Sequence, residues 1–355
     1  MRLLKAHGWE IHVAARNNLA EKNGLTMEYP DRVFDVPFRR SPFDPRNLTA
    51  YRALRKILSE HRYDVVHCNT PVGGVLTRLA ARRLRKSGTK VFYTAHGFHF
   101  YRGASKKNWL LYYPVEKLLA RYTDKLITIA AEDYALAKAK FPCEVARIHG
   151  VGVDENRFHP LPGEAQAAQK AALGLSGTIV LCVGELLPNK NQKTAILAVK
   201  ALAEKRPDVQ LLLAGNGPER DALTQLIQAE GMERHVRLLG YCPQIERYTQ
   251  VCDLLVSCSF REGLGLNVVE AMLCGKPVVA SKNRGHRELV QDGVTGFLVN
   301  ADDPAAFAER METVLQSPDK YCAAAQSHAA PYTAAHVRSE LAAIYGLREE
   351  RDAWS

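Results

Sequence analysis

The stretch "DLLVSCSFREGLGLNVVEAMLCGKPVVAS", residues 253–281, decides the fold. "DLLVSCS" reads as a buried strand, "FREGLG" as a glycine-rich turn, "LNVVEAML" as a helix that stops at Gly275, and "PVVAS" as the next strand. This is a βαβ unit, and in open α/β sheets ligands gather beyond the carboxyl ends of the strands, where the turn lies. Its glycines let backbone come close to a ligand, and the free amides at the helix start suit an anion such as phosphate. Glu270, expected within the first turn or so of the helix, repels phosphate but can accept hydrogen bonds from sugar hydroxyls. Together these features suggest a sugar nucleotide. A simpler account competes with it: Glu270 complements the helix dipole, and Glu262 is a loop acid beside Arg261.

The same alternation runs through the chain. "EIHVAA", "DVVHCN", "KVFYTAH", "KLITIA" and "EVARIHG" in the first half, then "TIVLCVG", "VQLLLAG", "HVRLLG", "DLLVSCS", "KPVVAS" and "TGFLVN" in the second, read as short strands between helical stretches. Near-continuous apolar strands imply parallel sheets covered on both faces, hence an α/β protein of two doubly wound lobes with a cleft between them. The expected division is a first lobe over 1–160, a linker over 161–177, a second lobe over 178–330 and a final helix over 331–355 that packs back on the first lobe. The linker carries prolines and an Ala/Gln-rich stretch and no strand.

At 355 residues there is room for two cores, and 46% hydrophobic with 24% charged residues is a globular composition. No apolar run approaches the roughly 18 to 20 residues that span a bilayer, and the N-terminus lacks a secretory pattern, so the expected location is the cytoplasm. The eight cysteines are scattered without a C-x-x-C pair, which favours buried free thiols over disulfides or zinc. A net charge of +10 points to an anionic partner. Dispersed basic clusters and the lack of a zinc-finger or RNA-binding signature argue against nucleic acid. The stretch 100–125, "FYRGASKKNWLLYYPVEKLLARYTDK", mixes Tyr101, Trp109, Tyr112 and Tyr113 with Arg102, Lys106, Lys107 and Lys117. It suits a membrane interface and a packed amphipathic helix equally.

The spacing from Glu262 to Glu270, with seven residues between, then a small-residue helix and "GKPVV", resembles the donor-site signature of retaining glycosyltransferases of the GT-B fold, the group 1 / family 4 type. "CVGELLPNKNQ", "LLLAGNGPERDAL", "RLLGY", "RGHRELVQDGVTGFLV" and "GVDENRFHP" resemble further family segments in order. "HCNTPVGG" and the stretch from "YTAHGFHF" onward resemble the bacterial branch that builds capsular, exopolysaccharide and related lipid-linked glycans.

The resemblance implies a donor site of Gly184, Glu185, Lys190, Gly240, Tyr241, Glu262, Gly263, Leu264, Gly265, Leu266, Asn267 and Glu270. Within it Lys190 and the amides from Gly263 to Asn267 meet a diphosphate. Glu262 faces the transferred hexose, Glu270 holds the ribose, and the loop at Gly240 and Tyr241 receives the uracil. His96 meets the donor sugar or reacting groups, and Gly73 and Gly74 line the acceptor side. His96, Glu262 and Lys190 are the expected catalytic residues. The implied partners are a UDP-sugar as donor and a lipid-linked glycan as acceptor, with peripheral contact on an anionic membrane surface. No cofactor is expected, and no Asp-x-Asp pair offers a clamp for a nucleotide-bound metal.

The chain departs from the family at Glu185, where arginine is common, and Arg261 and Arg284 are the candidate replacement charges. His99 is expected in the core. Retention allows double displacement or same-face attack, and the lack of an evident nucleophile favours the latter. The chain opens inside the helix that normally follows a first strand and glycine loop. Loss of that central strand is expected to leave a gap or to force its neighbours together. A late-assigned start is the favoured account. The alternatives in function are a UDP-N-acetylhexosamine epimerase of the same fold and a non-catalytic sugar-nucleotide-binding remnant.

Overall fold

In the computed structural model, residues 1–17 and 27–347 are described. The chain divides into two units, residues 1–150 with the chain from 338 onward, and Val151–Val337. Residues 151–160 therefore go with the second unit.

In the first unit a short helix, Arg2–Ala6, precedes β1 (His12–Ala15), which pairs in parallel with β2 (Arg32–Asp35). β3 (Val65–Cys68), β4 (Lys90–Ala95), β5 (Lys125–Thr128) and β6 (Glu144–Arg147) form a separate parallel sheet in chain order. Among the described residues β1 and β3 share no ladder, so the two sheets are not forced together. Side chains tie the sheets together instead. The His12 ring lies 2.9 Å through Nδ1 from the Tyr63 hydroxyl, just before β3, and packs edge-on against Phe34 and Tyr63. Helices Asn47–Glu60 and Pro71–Ala81 add a shared apolar layer, with Ala50 and Leu54 buried against Val36, Ala14, Phe34, Leu76 and Ala80.

The helix Ala334–Tyr345 ends on this unit. Its Tyr345 ring packs edge-on against Trp9 and Phe92, its hydroxyl lies 2.6 Å from His67 Nδ1, and Lys125 donates to the Ile344 carbonyl. His67 also meets the Thr94 hydroxyl at 2.7 Å, and burial pushes its pKa down to about 4, so it is neutral at physiological pH.

Gly74 shows why the first turn of helix Pro71–Ala81 carries glycine. A Cβ there would stand 2.7 Å from Cε2 of Tyr93, whose ring also bears the Arg78 guanidinium 3.9 Å from its centroid. The buried Arg78 is held in turn by Glu116 at 2.8 Å and by the Gly74 carbonyl, so the ring has little freedom to swing away. Gly74→Ala is expected to destabilise the protein by ~1–3 kcal/mol through overpacking. Denaturant unfolding reads this directly, and an unshifted midpoint would show that Tyr93 yields.

The second unit is one six-stranded parallel sheet: β7 (Ile179–Val183), β8 (Gln210–Ala214), β9 (Val236–Gly240), β10 (Leu254–Ser257), β11 (Val278–Ser281) and β12 (Gly296–Val299), in the order β12-β11-β10-β7-β8-β9. Leu181, Leu211, Leu254 and Val279 are wholly buried, as strands covered on both faces require. Cys182 is a buried free thiol pushed up to about 12 by its burial. The segment expected as a linker contains helix Gly163–Ala172, which packs on helix Ile245–Val251; Gln169 donates to the Arg247 carbonyl at 2.8 Å. It is part of the second unit. Because β7 lies between β8 and β10, the loops after β7 and β10 meet at the carboxyl end of the sheet.

Candidate functional site

The loop after β7 is shaped by close backbone approach. Gly215 and Gly217, in "AGNGPE" after β8, press on it: a Cβ at Gly215 would stand 2.0 Å from the Gly184 carbonyl oxygen, and one at Gly217 would stand 2.3 Å from that of Leu186. Asn191, the one described non-glycine residue at positive φ (52°), turns the chain into helix Gln192–Ala203. Its side chain donates to the carbonyls of Cys258 and Ala301. Asn189 joins this loop to the one after β10, with its carbonyl accepting from the Phe260 amide and its side chain donating to the Arg261 carbonyl, both at 2.9 Å.

Between these loops Lys190 Nζ donates to Glu262 Oε1 at 2.6 Å, and both groups are half-buried. The Lys190 stem runs over Gly184, 3.5 Å from where a Cβ would be. Glu185 is exposed. Gly265 (φ 96°) caps helix Leu266–Leu273, whose first amides have no intrahelical acceptors. Leu264 is buried, so of its polar groups only the backbone is placed to serve a ligand, whereas Leu266 is exposed. The Asn267 side chain donates to the Val183 carbonyl, pinning the helix to β7.

Glu270 is the fifth residue of its helix, just past the first turn, close to where it was expected. Burial pushes its pKa up to about 7, against the pull of Arg157, whose guanidinium is itself paired with Glu246 at 2.6 Å; Glu246 adds to the rise. Tyr241 follows β9 and is 70% exposed, and Gly240 there adopts φ 73°.

In the first unit His96 directly follows β4 and is exposed, yet enough protein surrounds its ring to lower its pKa. His99 is not in the core: it is exposed and stacks on Tyr112, while Phe98 and Phe100 on either side of it turn inward. Gly73 and Gly74 are both buried, and each has a packing reason, since a Cβ at Gly73 would stand 2.5 Å from Thr70 Oγ1.

Comparison with known proteins agrees over the full length. Residues 1–157 match the family model described as Glycosyltransferase Family 4, and residues 165–330 match that of Glycosyl transferases group 1. The provisionally named glycosyltransferase EpsD of Bacillus subtilis (strain 168) is 46% identical over 98% of this chain and 92% of its own. The chain belongs to the group 1 / family 4 glycosyltransferases. An Escherichia coli UDP-Gal:alpha-D-GlcNAc-diphosphoundecaprenol alpha-1,3-galactosyltransferase is 28% identical over 84% of this chain and 79% of its own. The structure of Anabaena HepE in complex with UDP and glucose superposes with a TM-score of 0.72 at 27% identity, covering 92% of this chain and 88% of that one. The fold is GT-B, as the resemblance implied.

This glycosyltransferase supports the loop after β10 with residues that sequence reasoning did not single out. Gly285, in "NRGHREL", lies under the loop, where a Cβ would stand 2.8 Å from the Leu264 carbonyl oxygen and 3.0 Å from Glu262. His286 is fully buried beneath Gly265, whose Cβ would stand 3.2 Å from its Cδ2. Its Nε2 lies 3.2 Å from the Ser257 hydroxyl, its Nδ1 lies 2.9 Å from the Ser281 carbonyl, and its amide donates to Asn283 Oδ1. Burial lowers its pKa, so the ring is neutral and positions the loop. The signal was the G-H pair itself, a glycine and a histidine opening a helix after a strand. Of the candidate replacement charges, Arg261 is exposed on the loop, and Arg284 is half-buried at the first position of helix Arg284–Leu289, beside Gly285.

Proposed function

We propose that this glycosyltransferase moves a hexose or N-acetylhexosamine from a UDP-sugar, with retention and without an obligatory metal, to a hydroxyl of a polyprenyl-diphosphate-linked glycan in cell-surface polysaccharide synthesis. The observation that carries the donor side is the half-buried Lys190–Glu262 pair at the amide-lined start of helix Leu266–Leu273, with Glu270 one turn on. A cation and free amides on one side of a carboxylate suit a diphosphate next to a hexose. The names of EpsD and of the lipid-linked galactosyltransferase favour polysaccharide synthesis on a lipid carrier, which brings the protein to the inner face of the membrane. HepE with UDP and glucose favours UDP as the nucleotide. No helix among the described residues is long and apolar enough to cross a membrane.

In this reading the donor diphosphate draws Lys190 from Glu262, and Lys190 with the amides from Gly263 to Asn267 stabilises charge on the leaving oxygen. Glu262, released from its partner, accepts from hexose hydroxyls and holds the sugar as it gains oxocarbenium character. His96 orients the sugar, and Gly73 and Gly74 line the acceptor side. Tyr241 stacks on the uracil, Glu270 takes the ribose hydroxyls, and the acceptor hydroxyl attacks on the face from which UDP departs, passing its proton to the departing phosphate. Incubation with UDP-sugars and a prenyl-diphosphate glycan tests the proposal: glycosylated acceptor plus UDP is the expected product. Conversion of donor alone to its epimer would make the protein an epimerase, and donor binding with no transfer would make it a non-catalytic remnant.

Glu270 makes this reading pH-dependent. A free-state pKa of about 7 means that the carboxylate needed by the ribose is lost as pH falls. Ribose binding favours the ionised form, so affinity is greatest above about 7 and declines below it, by at most about tenfold per pH unit, until the bound-state pKa is reached. Calorimetry with uridine, which has no titrating phosphate, reads this without interference. Glu270→Gln should flatten the profile, and an unchanged slope in that variant would remove Glu270 from the ribose site.

A further inference from the structure

We propose that the outward face of helix Lys106–Ala120 docks on an anionic lipid surface. The aromatic residues that first drew notice to this stretch are not the contact. Trp109, Tyr112 and Tyr113 turn inward onto the core of Phe98, Phe100 and Phe141. The opposite face presents Leu110 (81% exposed), Leu111 (39%), Val115 (42%) and Leu118 (51%), a continuous aliphatic row in water.

Cations flank that row. Lys106, Lys107, Lys117 and Arg121 are exposed on the same side, with Arg102 just before the helix. Between residues 101 and 123 the sole acid is Glu116, which is buried and committed to Arg78 at 2.8 Å. Lys106 and Lys107 also open the helix with no acid in its first turn, against the helix dipole, so helix stability does not account for them. Aliphatic side chains ringed by ammonium and guanidinium groups match an acyl boundary beneath anionic headgroups. A second copy of the chain is disfavoured, because a two-fold contact through this face would set like charges against each other. Nucleic acid would leave the aliphatic row without a partner. The docking rests on this face alone; its use, bringing the enzyme to a lipid-linked acceptor, rests on the function proposed above.

Cosedimentation of the full chain with phosphatidylcholine vesicles, with and without phosphatidylglycerol, tests it. The expected result is partition onto the phosphatidylglycerol vesicles that weakens with salt. Leu110→Ser/Leu118→Ser should abolish it, and Lys106→Glu/Lys107→Glu should lower it by at least about twentyfold, at about fivefold per cation. All four positions are exposed, and an unchanged thermal midpoint confirms that the variants fold. Equal partition onto neutral vesicles, or wild-type partition by the serine variant, would overturn the proposal. So would wild-type self-association that the serine variant loses, since it would give the face to a second copy. Vesicle binding needs no donor, so an inactive protein that still partitions would sink the proposed function and leave the docking intact. Transfer without partition would do the reverse.

Discussion

Lys190→Ala is expected to lower kcat by about 10²–10³-fold, the range seen when one preorganised donor is removed from a developing negative charge. Lys190 is a cation fixed between the two loops at the sheet's carboxyl end by its pairing with Glu262, and neither Arg261 nor Arg284 takes its place in that pair. The substitution also strands the half-buried Glu262 carboxylate without its 2.6 Å partner, which adds a repulsive group beside the diphosphate. UDP affinity should therefore fall along with turnover. Steady-state kinetics with UDP calorimetry check both, and a kcat within a few-fold of wild type would remove Lys190 from leaving-group stabilisation.

Glu262→Gln should separate the two effects. If Glu262 positions the hexose, its loss misplaces the sugar and lowers kcat by about a hundredfold. UDP carries no hexose, and in the free protein Glu262 competes for the Lys190 ammonium. The glutamine variant should therefore bind UDP as well as wild type or better. Paired loss of turnover and UDP affinity would mean that Glu262 only holds Lys190 in place. The double variant completes a cycle, and because the two side chains touch, their costs should not add.

Much of this site was legible because its chemistry is local. The glycine turn, the helix start and the glutamate spacing lie within one βαβ unit, so chain geometry alone brings Glu262, Gly265 and Glu270 together at a strand end. Lys190 was readable only through resemblance, since 72 residues separate it from Glu262 and it is parallel pairing of β7 with β10 that closes the distance. Gly215, Gly217, Gly285 and His286 were not singled out. Each acts by letting backbone approach or by hydrogen bonding beneath a loop from another crossover, and no local period marks such a role. His99 was misplaced because it lies in the loop after β4, where Phe98 and Phe100 turn inward and no regular period fixes the side chain between them.

By itself the sequence determined the two parallel-sheet units and the location of an anion-suited helix start, because apolar runs, glycine stops and crossovers are properties of contiguous segments. Only the tertiary structure decided that β1–β2 and β3–β6 stand as separate sheets joined by side chains rather than by a ladder. It also decided that Lys190 rests on Glu262, that burial holds Glu270 near pH 7, and that helix Lys106–Ala120 turns its aromatic residues in and its leucines out. Each of these depends on which surface a distant segment covers, and burial, charge pairing and pKa follow from that covering.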